Sequence, residues 1–346
     1  MNLDIKSRVG IVNKVWRRNS TEQLYKITTR TGNEITVTPT HPMFVTNGGI
    51  VTSKITEKLK EGEFIAAPRI IKVNTEIQKI DFEIERTKAR NANHIIVPEF
   101  VTSELARFLG YMISDSYIGY NKNKTSGTTK FTNSNDVLLN DCLNLAKGLF
   151  NVRAQIKPRK ERPTNKDVII NSIELVRFLE KIDPTLIQRA KFKHIPNLIQ
   201  KSPNNILKEF IKSLYDGEGF AARNKRAILI SSASSELIYD LKTLLLRFGI
   251  ISQVGTTIGY ARNTEKKIKR KYWILTISGK EIKKYNKSIG FTSLQKQENL
   301  VHSINLDKIF NTNIDVVPNI FTLFKTVRKL LRLTQFEMGV PRTTYQ

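Results

Sequence analysis

Apolar positions recur at helical spacing in two stretches of this chain that share one plan. In the first, Leu105, Phe108, Leu109 and Met112 fall on a common face with Gly110 among them. In the second, Phe210, Ile211 and Leu214 recur likewise, and the small Ser213 takes the place of Gly110. Each stretch runs into an acid, FLGYMISDS at Asp115 and IKSLYDGEG at Glu218, 103 residues apart. An internal repeat of this length predicts two similar halves that meet.

The pattern after each acid repeats as well. Behind Asp115 come strand-like YIGYNKNKTSG and GTTKFTNSN, a helix DVLLNDCLNLAKGLF, strands VRAQIKPRKERP and KDVIINS, and a helix IELVRFLEKI. Behind Glu218, FAARNKRAILIS predicts a strand pair, SSELIYDLKTLLLRFG a helix, and ISQVGTTIGYARN with KKIKRKYWILTIS a long hairpin. The expected class is α+β, with two pseudo-symmetric αββαββα halves over residues 98–200 and 201–300, each presenting one curved sheet. Residues 1–97, with GNEITVTPTHPMFVTNGG and LKEGEFIAAPR, are rich in β-branched residues and turns and predict a small, mostly β domain. Residues 301–346 predict a helical tail, in which FKTVRKLLRLTQFEMGVPRTTY has the pattern of an incomplete helix-turn-helix.

Gly110 and Ser213 at matching places let two helix backbones approach closely, which brings the acids side by side. A carboxylate at a helix C-terminus faces the negative pole of the macrodipole, and two of them also repel. A divalent cation with a taste for hard oxygen ligands, Mg²⁺ or Ca²⁺, is the simplest way to keep them there.

These paired segments resemble the motifs of LAGLIDADG homing endonucleases of the dodecapeptide type, in their single-chain form, over about residues 98–300. The resemblance implies that Asp115 and Glu218 ligate two or more catalytic Mg²⁺ ions, with the backbone carbonyls of Ser114 and Gly217 as weaker candidate ligands. It also implies that Lys193, in KHIPNLI, and Lys296, in IGFTSLQKQ, act beside them. Each lysine follows its acid by 78 residues. A lysine there can position or acidify a metal-bound water, or offset charge on a phosphorane-like transition state. Ile113 and Ser116 depart from the motif, which has an acid and a glycine there; the second copy, DGEG, fits. The sixth motif position, Ile113 in the first copy, is not a metal ligand and is expected to tolerate change, whereas Ser116 bears on helix approach. The implied protein is a monomer with an internal pseudo-dyad that cuts both strands of a long, asymmetric DNA target and leaves 3′ overhangs.

The first 97 residues resemble part of an intein's Hint splicing domain, where a Thr-x-x-His motif, here Thr38 and His41, assists the first acyl shift. Splicing needs a nucleophile at residue 1 and an Asn at the downstream junction. With Met1 and the closing Thr344, Tyr345 and Gln346, the sequence given is expected not to self-splice, and its motif is expected to be vestigial.

Charge fits a nucleic-acid partner: 57 Lys and Arg against 31 Asp and Glu give a net charge of +26 over 346 residues. Basic residues fall on the predicted strands. The candidates are Lys122, Lys124, Lys130, Arg153, Lys157, Arg159, Arg223, Lys225, Lys266, Lys269 and Arg270, with Trp16, Arg17 and Arg18 as a further local patch. The lone Cys142 excludes a disulfide framework and a zinc cluster. No run suits a membrane span and no signal-peptide core opens the chain, so an intracellular, cytoplasmic location is expected, on the nucleoid when DNA is bound. Two rivals keep the basic saddle without the cutting: a catalytically inactive DNA-binding relative and an RNA maturase.

Overall fold

The computed structural model describes residues 10–17, 19, 21–160, 162–260, 268–306, 318–334 and 336–339. Arg18 and Lys266 lie outside the described residues, as do residues 340–346. The chain divides into two units, Met1–Pro68 with Asn311–Gln346, and Arg69–Phe310.

In the first unit, strands β1 (Tyr25–Thr28) and β2 (Glu34–Val37) form a hairpin. Strands β3 (Pro42–Asn47), β4 (Ile50–Ile55) and β5 (Phe64–Ile65) form a second sheet in the order β4-β3-β5. Its strands bury little: among their described residues Val45 is buried, while Phe44, Ile50 and Phe64 stay exposed; Thr56, just past β4, is buried as well. Thr38 and His41 form the turn between β2 and β3, where the His41 N–H donates to the Thr38 carbonyl at 3.1 Å. Thr56 returns two hydrogen bonds to the His41 carbonyl.

The second unit holds the duplicated plan. The first half runs α1 (Ser103–Ile113), β6 (Ser116–Tyr120), β7 (Gly127–Asn133), α2 (Asp136–Phe150), β8 (Ala154–Arg159), β9 (Arg162–Asn171) and α3 (Ile173–Ile182). After a short α4 (Asn197–Lys201), the second half runs α5 (Asn204–Glu218), β10 (Phe220–Ala221), β11 (Ala227–Ser232), α6 (Ser235–Leu245), β12 (Gln253–Gly259), β13 (Arg270–Ser278) and α7 (Glu281–Ser288), and α8 (Leu294–Ile304) follows. Both antiparallel sheets have the same strand order, β6-β7-β9-β8 and β10-β11-β13-β12. The fold is therefore the α+β duplication that the periodicity predicts.

Local chemistry sets the helix limits. Thr102, Asn135, Ser172, Ser234 and Ser293 each cap a helix N-terminus with a side-chain oxygen, and left-handed Asn151 closes α2. The apolar face of α1 disappears completely, with Leu105, Phe108, Leu109 and Met112 at 0% exposure. Each such side chain contributes roughly 1.5–3 kcal/mol of burial.

Residues 69–101 form an extended strap belonging to this unit, although the sequence places most of them with the N-terminal β region. Arg69 pairs with buried Glu281 and the Ile71 N–H donates to the Leu246 carbonyl, both in the second half. The strap then reaches the first half, where Ile80, Ile84 and Ile95 are buried. There Glu174, fully buried at the start of α3, accepts hydrogen bonds from Arg86 at 2.7 Å, His94 at 2.8 Å, and the Thr87 and Ile95 amides. Burial alone would raise its pKa, but these donors outweigh it and pull the carboxyl down to about 2.

Returning to the first unit, α9 (Phe321–Leu330) is the one helix among its described tail residues. The expected second helix is represented by a turn in which Thr334 and Glu337 exchange capping hydrogen bonds. Left-handed Gly339 then ends it.

Candidate active site at the crossing of two helices

Helices α1 and α5 pack with almost no side chain between them. A Cβ on Gly110 would lie 2.0 Å from Ser213 Oγ and 2.6 Å from the Phe210 carbonyl oxygen. One turn further, a Cβ on Gly217 would lie 2.3 Å from Ser114 Oγ and 2.5 Å from Ser114 Cβ. Residues 110 and 213 are equivalent in the repeat, as are 114 and 217, so each layer pairs a position with its own counterpart. Each layer also holds one glycine and one serine. Ser116 plays no part in this approach; its hydroxyl donates to the Met112 carbonyl. The departure from glycine is thus absorbed at the start of β6.

The two acids emerge where the helices end. Glu218 is the last residue of α5, and Asp115 follows Ser114, the C-cap of α1. Both reach solvent, yet protein crowds them closely. Glu218 is pushed up to about 7, first by desolvation and then by the charge of Asp115. Asp115 is raised by desolvation, against the pull of Lys193 and Lys296. All four groups therefore share one electrostatic site.

The lysines occupy symmetric places. Lys193 Nζ donates to the carbonyls of Ile113 at 3.0 Å and Met112 at 3.3 Å. Lys296 Nζ donates to those of Asp216 at 2.5 Å and Tyr215 at 3.1 Å, the equivalent carbonyls of the second copy. Each ammonium thus sits on the negative end of a motif helix, where a cation is favoured. Lys193 is 6% exposed, and burial brings it down to about 8 against the fields of Glu218 and Asp115. The lysines supply part of the neutralisation that charge balance alone assigns to a metal.

The donor set fits a hard divalent cation. Asp115 and Glu218 are the two carboxylates that meet where the helices end, and among the described residues no three His, Cys, Asp or Glu side chains cluster. Mg²⁺ commonly binds one or two carboxylates and takes its other oxygens from water and phosphate. The Ser114 carbonyl already accepts the Ser116 N–H at 2.9 Å, which leaves one lone pair.

Three groups that sequence reasoning passed over hold the lysines. Asp216, at the sixth motif position, is 1% exposed and accepts the Thr292 and Ser293 amides at 3.0–3.1 Å. It anchors the start of α8, from which Lys296 projects. In the second half the sixth motif position thus fixes a loop, a role that the sequence reading does not assign to it. Ser234, capping α6, donates to the Lys193 carbonyl at 2.6 Å, and Asn135, capping α2, donates to Ser293 Oγ at 3.1 Å. Each half therefore grips the lysine loop of the other. An acid before Glu218 and capping residues before two helices are visible in the sequence, but their partners lie 41 to 158 residues away.

The strand register sorts the basic candidates. In the first sheet the face away from the helices carries Tyr117, Thr128, Lys130, Gln155, Lys157 and Asn171, which line an open concavity. Arg159, in β8, leans toward Asp167 at 3.9 Å. Lys122, Lys124, Arg153, Arg223, Lys225 and Lys269 lie off the strands, in turns or at strand ends, a correction to the sequence reading. The reason is local: the strands close after Tyr120 and Ala221, where polar turn residues take over, and Lys124 adopts a left-handed φ of 53°. The matching face of the second sheet carries Leu229, Ser231, Gln253, Thr257, Tyr272, Ile274 and Thr276, with Arg270 as its cation, at one end. The two faces are chemically unlike. No helix among the described residues is long and apolar enough to cross a membrane.

Residues 102–183 and 205–290 each match the LAGLIDADG-like domain, so the chain carries this domain twice, once in each half of the duplication. Among curated proteins it is 30% identical over 302 residues to the replication factor C small subunit of Methanocaldococcus jannaschii, a match covering 87% of this chain and 14% of that protein. It is 31% identical over 261 residues to an A-type ATP synthase subunit of Pyrococcus abyssi, covering 74% of this chain and 24% of that protein. The chain thus spans less than a quarter of the length of these relatives. A solved structure of mesophilic variants of the homing endonuclease I-DmoI aligns with 58% of this chain and 98% of its own, at 17% identity and a TM-score of 0.42.

Proposed function

We propose that this protein is a site-specific homing endonuclease that hydrolyses both strands of duplex DNA. The observation that carries the reading is the symmetric quartet, Asp115 and Glu218 with Lys193 and Lys296, at the crossing of two duplicated helices. Asp115 and Glu218 hold Mg²⁺, which when bound acidifies water and stabilises charge on the phosphoryl oxygens. The two carboxylates orient the attack, in which a water oxygen–phosphorus bond forms as the bond from phosphorus to the leaving sugar oxygen breaks, the attacking water giving a proton to solvent and the sugar oxygen taking one from it. Each lysine, fixed against helix carbonyls, places positive charge where negative charge grows in the transition state.

The polar face of the first sheet suits base edges and phosphates in a major groove, with Lys130 and Lys157 as cationic contacts and Gln155 and Asn171 as donor–acceptor pairs. The more apolar second face suits methyl groups and sugar edges. This difference supports a long target with unlike halves.

The Thr38–His41 turn, and the fact that similar stretches lie inside relatives bearing two unrelated names, support descent from an intein. A segment shared by components of a replication factor and of an ATP synthase behaves as an insert carried between hosts. The first unit then derives from a splicing domain.

The test is Mg²⁺-dependent cutting of a library of duplexes, with cut ends sequenced beside Asp115→Asn and Glu218→Gln controls. One enriched site with paired staggered cuts, absent in the controls, is expected. Tight, salt-sensitive binding without cutting would overturn the nuclease in favour of a DNA-binding relative, and preferential binding of structured RNA would favour a maturase.

A further inference from the structure

The two lysines of the quartet make equivalent contacts but are held by different means. Lys296 stands in the first turn of α8, and the loop that leads into that turn is fastened by Asp216, which takes the Thr292 and Ser293 amides. The same residue offers its own carbonyl to Lys296 Nζ at 2.5 Å. Asp216 therefore fixes the loop with its side chain and the ammonium with its backbone. Because Asp216 is buried, a carboxylate oxygen lost there cannot be replaced by solvent without opening the loop.

The first copy has Ile113 at this place, which can accept nothing through its side chain. The opposite half reaches the Lys296 loop through Asn135, but it holds the Lys193 loop by more: Ser234 donates to the Lys193 carbonyl, and Asp240 accepts the Ile195 N–H at 3.1 Å and Gln200 Nε2 at 3.3 Å. Its own half adds His194, paired to Asp183 at 2.7 Å.

Building on the nuclease reading, we infer that Asp216 and Ser234 are separate positioning residues for Lys296 and Lys193, and that through them the cuts in the two strands can be disabled independently. Neither residue touches the reacting atoms. Each sets where one ammonium stands, and a displacement of about 1 Å at a reacting centre costs up to about 100-fold in rate. Asp216→Ala frees the α8 turn and slows one strand; Ser234→Ala frees the Lys193 loop and slows the other.

Two readouts on the full chain decide this. The first follows nicking of each strand of a separately labelled target. Asp216→Ala and Ser234→Ala are expected to bias the cut toward opposite strands by about 10- to 100-fold. Asp216→Asn, which keeps an oxygen acceptor, and Ser234→Thr, which keeps the hydroxyl, restore balanced cutting. A shared loss on both strands, or the same strand slowed by both variants, would overturn the inference.

The second readout needs no DNA. Residue-resolved acetylation of lysines, read by mass spectrometry, is expected to speed up at Lys296 alone in Asp216→Ala and at Lys193 alone in Ser234→Ala. Equal changes at both lysines, or none, would refute the assignment. A wild-type protein that cuts no duplex would defeat the nuclease reading, while the labelling would still decide the positioning.

Discussion

Replacing Gly110 by alanine tests the helix crossing on which the site is built. The new Cβ would meet Ser213 Oγ at 2.0 Å, the Phe210 carbonyl oxygen at 2.6 Å and the Leu214 nitrogen at 3.1 Å. Ser213 can turn away, but the Phe210 carbonyl belongs to the helix itself. Reaching ordinary contact requires the α5 backbone to retreat by about 0.8 Å, an overpacking cost of about 1–3 kcal/mol. For a unit of this size that lowers Tm by about 3–10 °C. The same retreat separates Asp115 from Glu218 and should reduce cutting more than DNA binding. Gly217→Ala makes an instructive partner, because its Cβ meets only the side chain of Ser114, whose Cα is 4.0 Å away. Adding Ser114→Gly should therefore return stability to within about 1 kcal/mol of wild type, helped by the better helix propensity of alanine. Adding Ser213→Gly to Gly110→Ala should rescue only part of the loss, since the Phe210 carbonyl remains. Thermal unfolding of the two single and two double variants reads this directly. Full rescue of Gly110→Ala, or none of Gly217→Ala, would refute the account.

Three further outcomes follow from other parts of the molecule. Glu174 has its folded pKa depressed from 4.5 to about 2, so its stabilisation is present above pH 4.5 and drains away as pH falls toward 2; the shift is worth about 3 kcal/mol. Glu174→Gln should lose that amount at neutral pH and flatten the acid limb of a denaturation series, and an unchanged limb would contradict it. Gly148, on the exposed side of α2 with nothing within 4 Å of a built Cβ, should accept alanine with a gain of up to about 1 kcal/mol in urea unfolding. Lys130→Ala and Lys157→Ala should each lower the slope of log affinity against log salt by about 0.9 if the side chain meets a phosphate; a slope unmoved in both would remove this face from the DNA.

The duplication was readable because its signals are local and periodic. The segments IELVRFLEKI and DVLLNDCLNLAKGLF coincide with α3 and α2 residue for residue, since apolar spacing and caps suffice to set them. Asp115, Glu218 and the two lysines could be singled out because equal spacing survives in one dimension. The groups that steady those lysines were hidden for the opposite reason. Asp216 reaches amides 76 and 77 residues on, and nothing in a run of residues records which buried acid finds which loop. The strap is not legible because an extended segment without periodicity reads like the β region before it. Strand ends were misjudged where lysine-rich turns continue a β-like composition, as after Tyr120.

The strap has a consequence for how the chain is made. Arg69 leaves the ribosome 212 residues before its partner Glu281, whereas Arg86 precedes Glu174 by 88. At 5–20 residues per second the first wait lasts on the order of 10–40 s and the second about 4–18 s. The first half can therefore mature on its own thread while the forward end of that thread hangs open. The second half, arriving later, finds both a finished mate and a waiting tether, and order of synthesis does the work that a chance encounter between two separate chains would otherwise require.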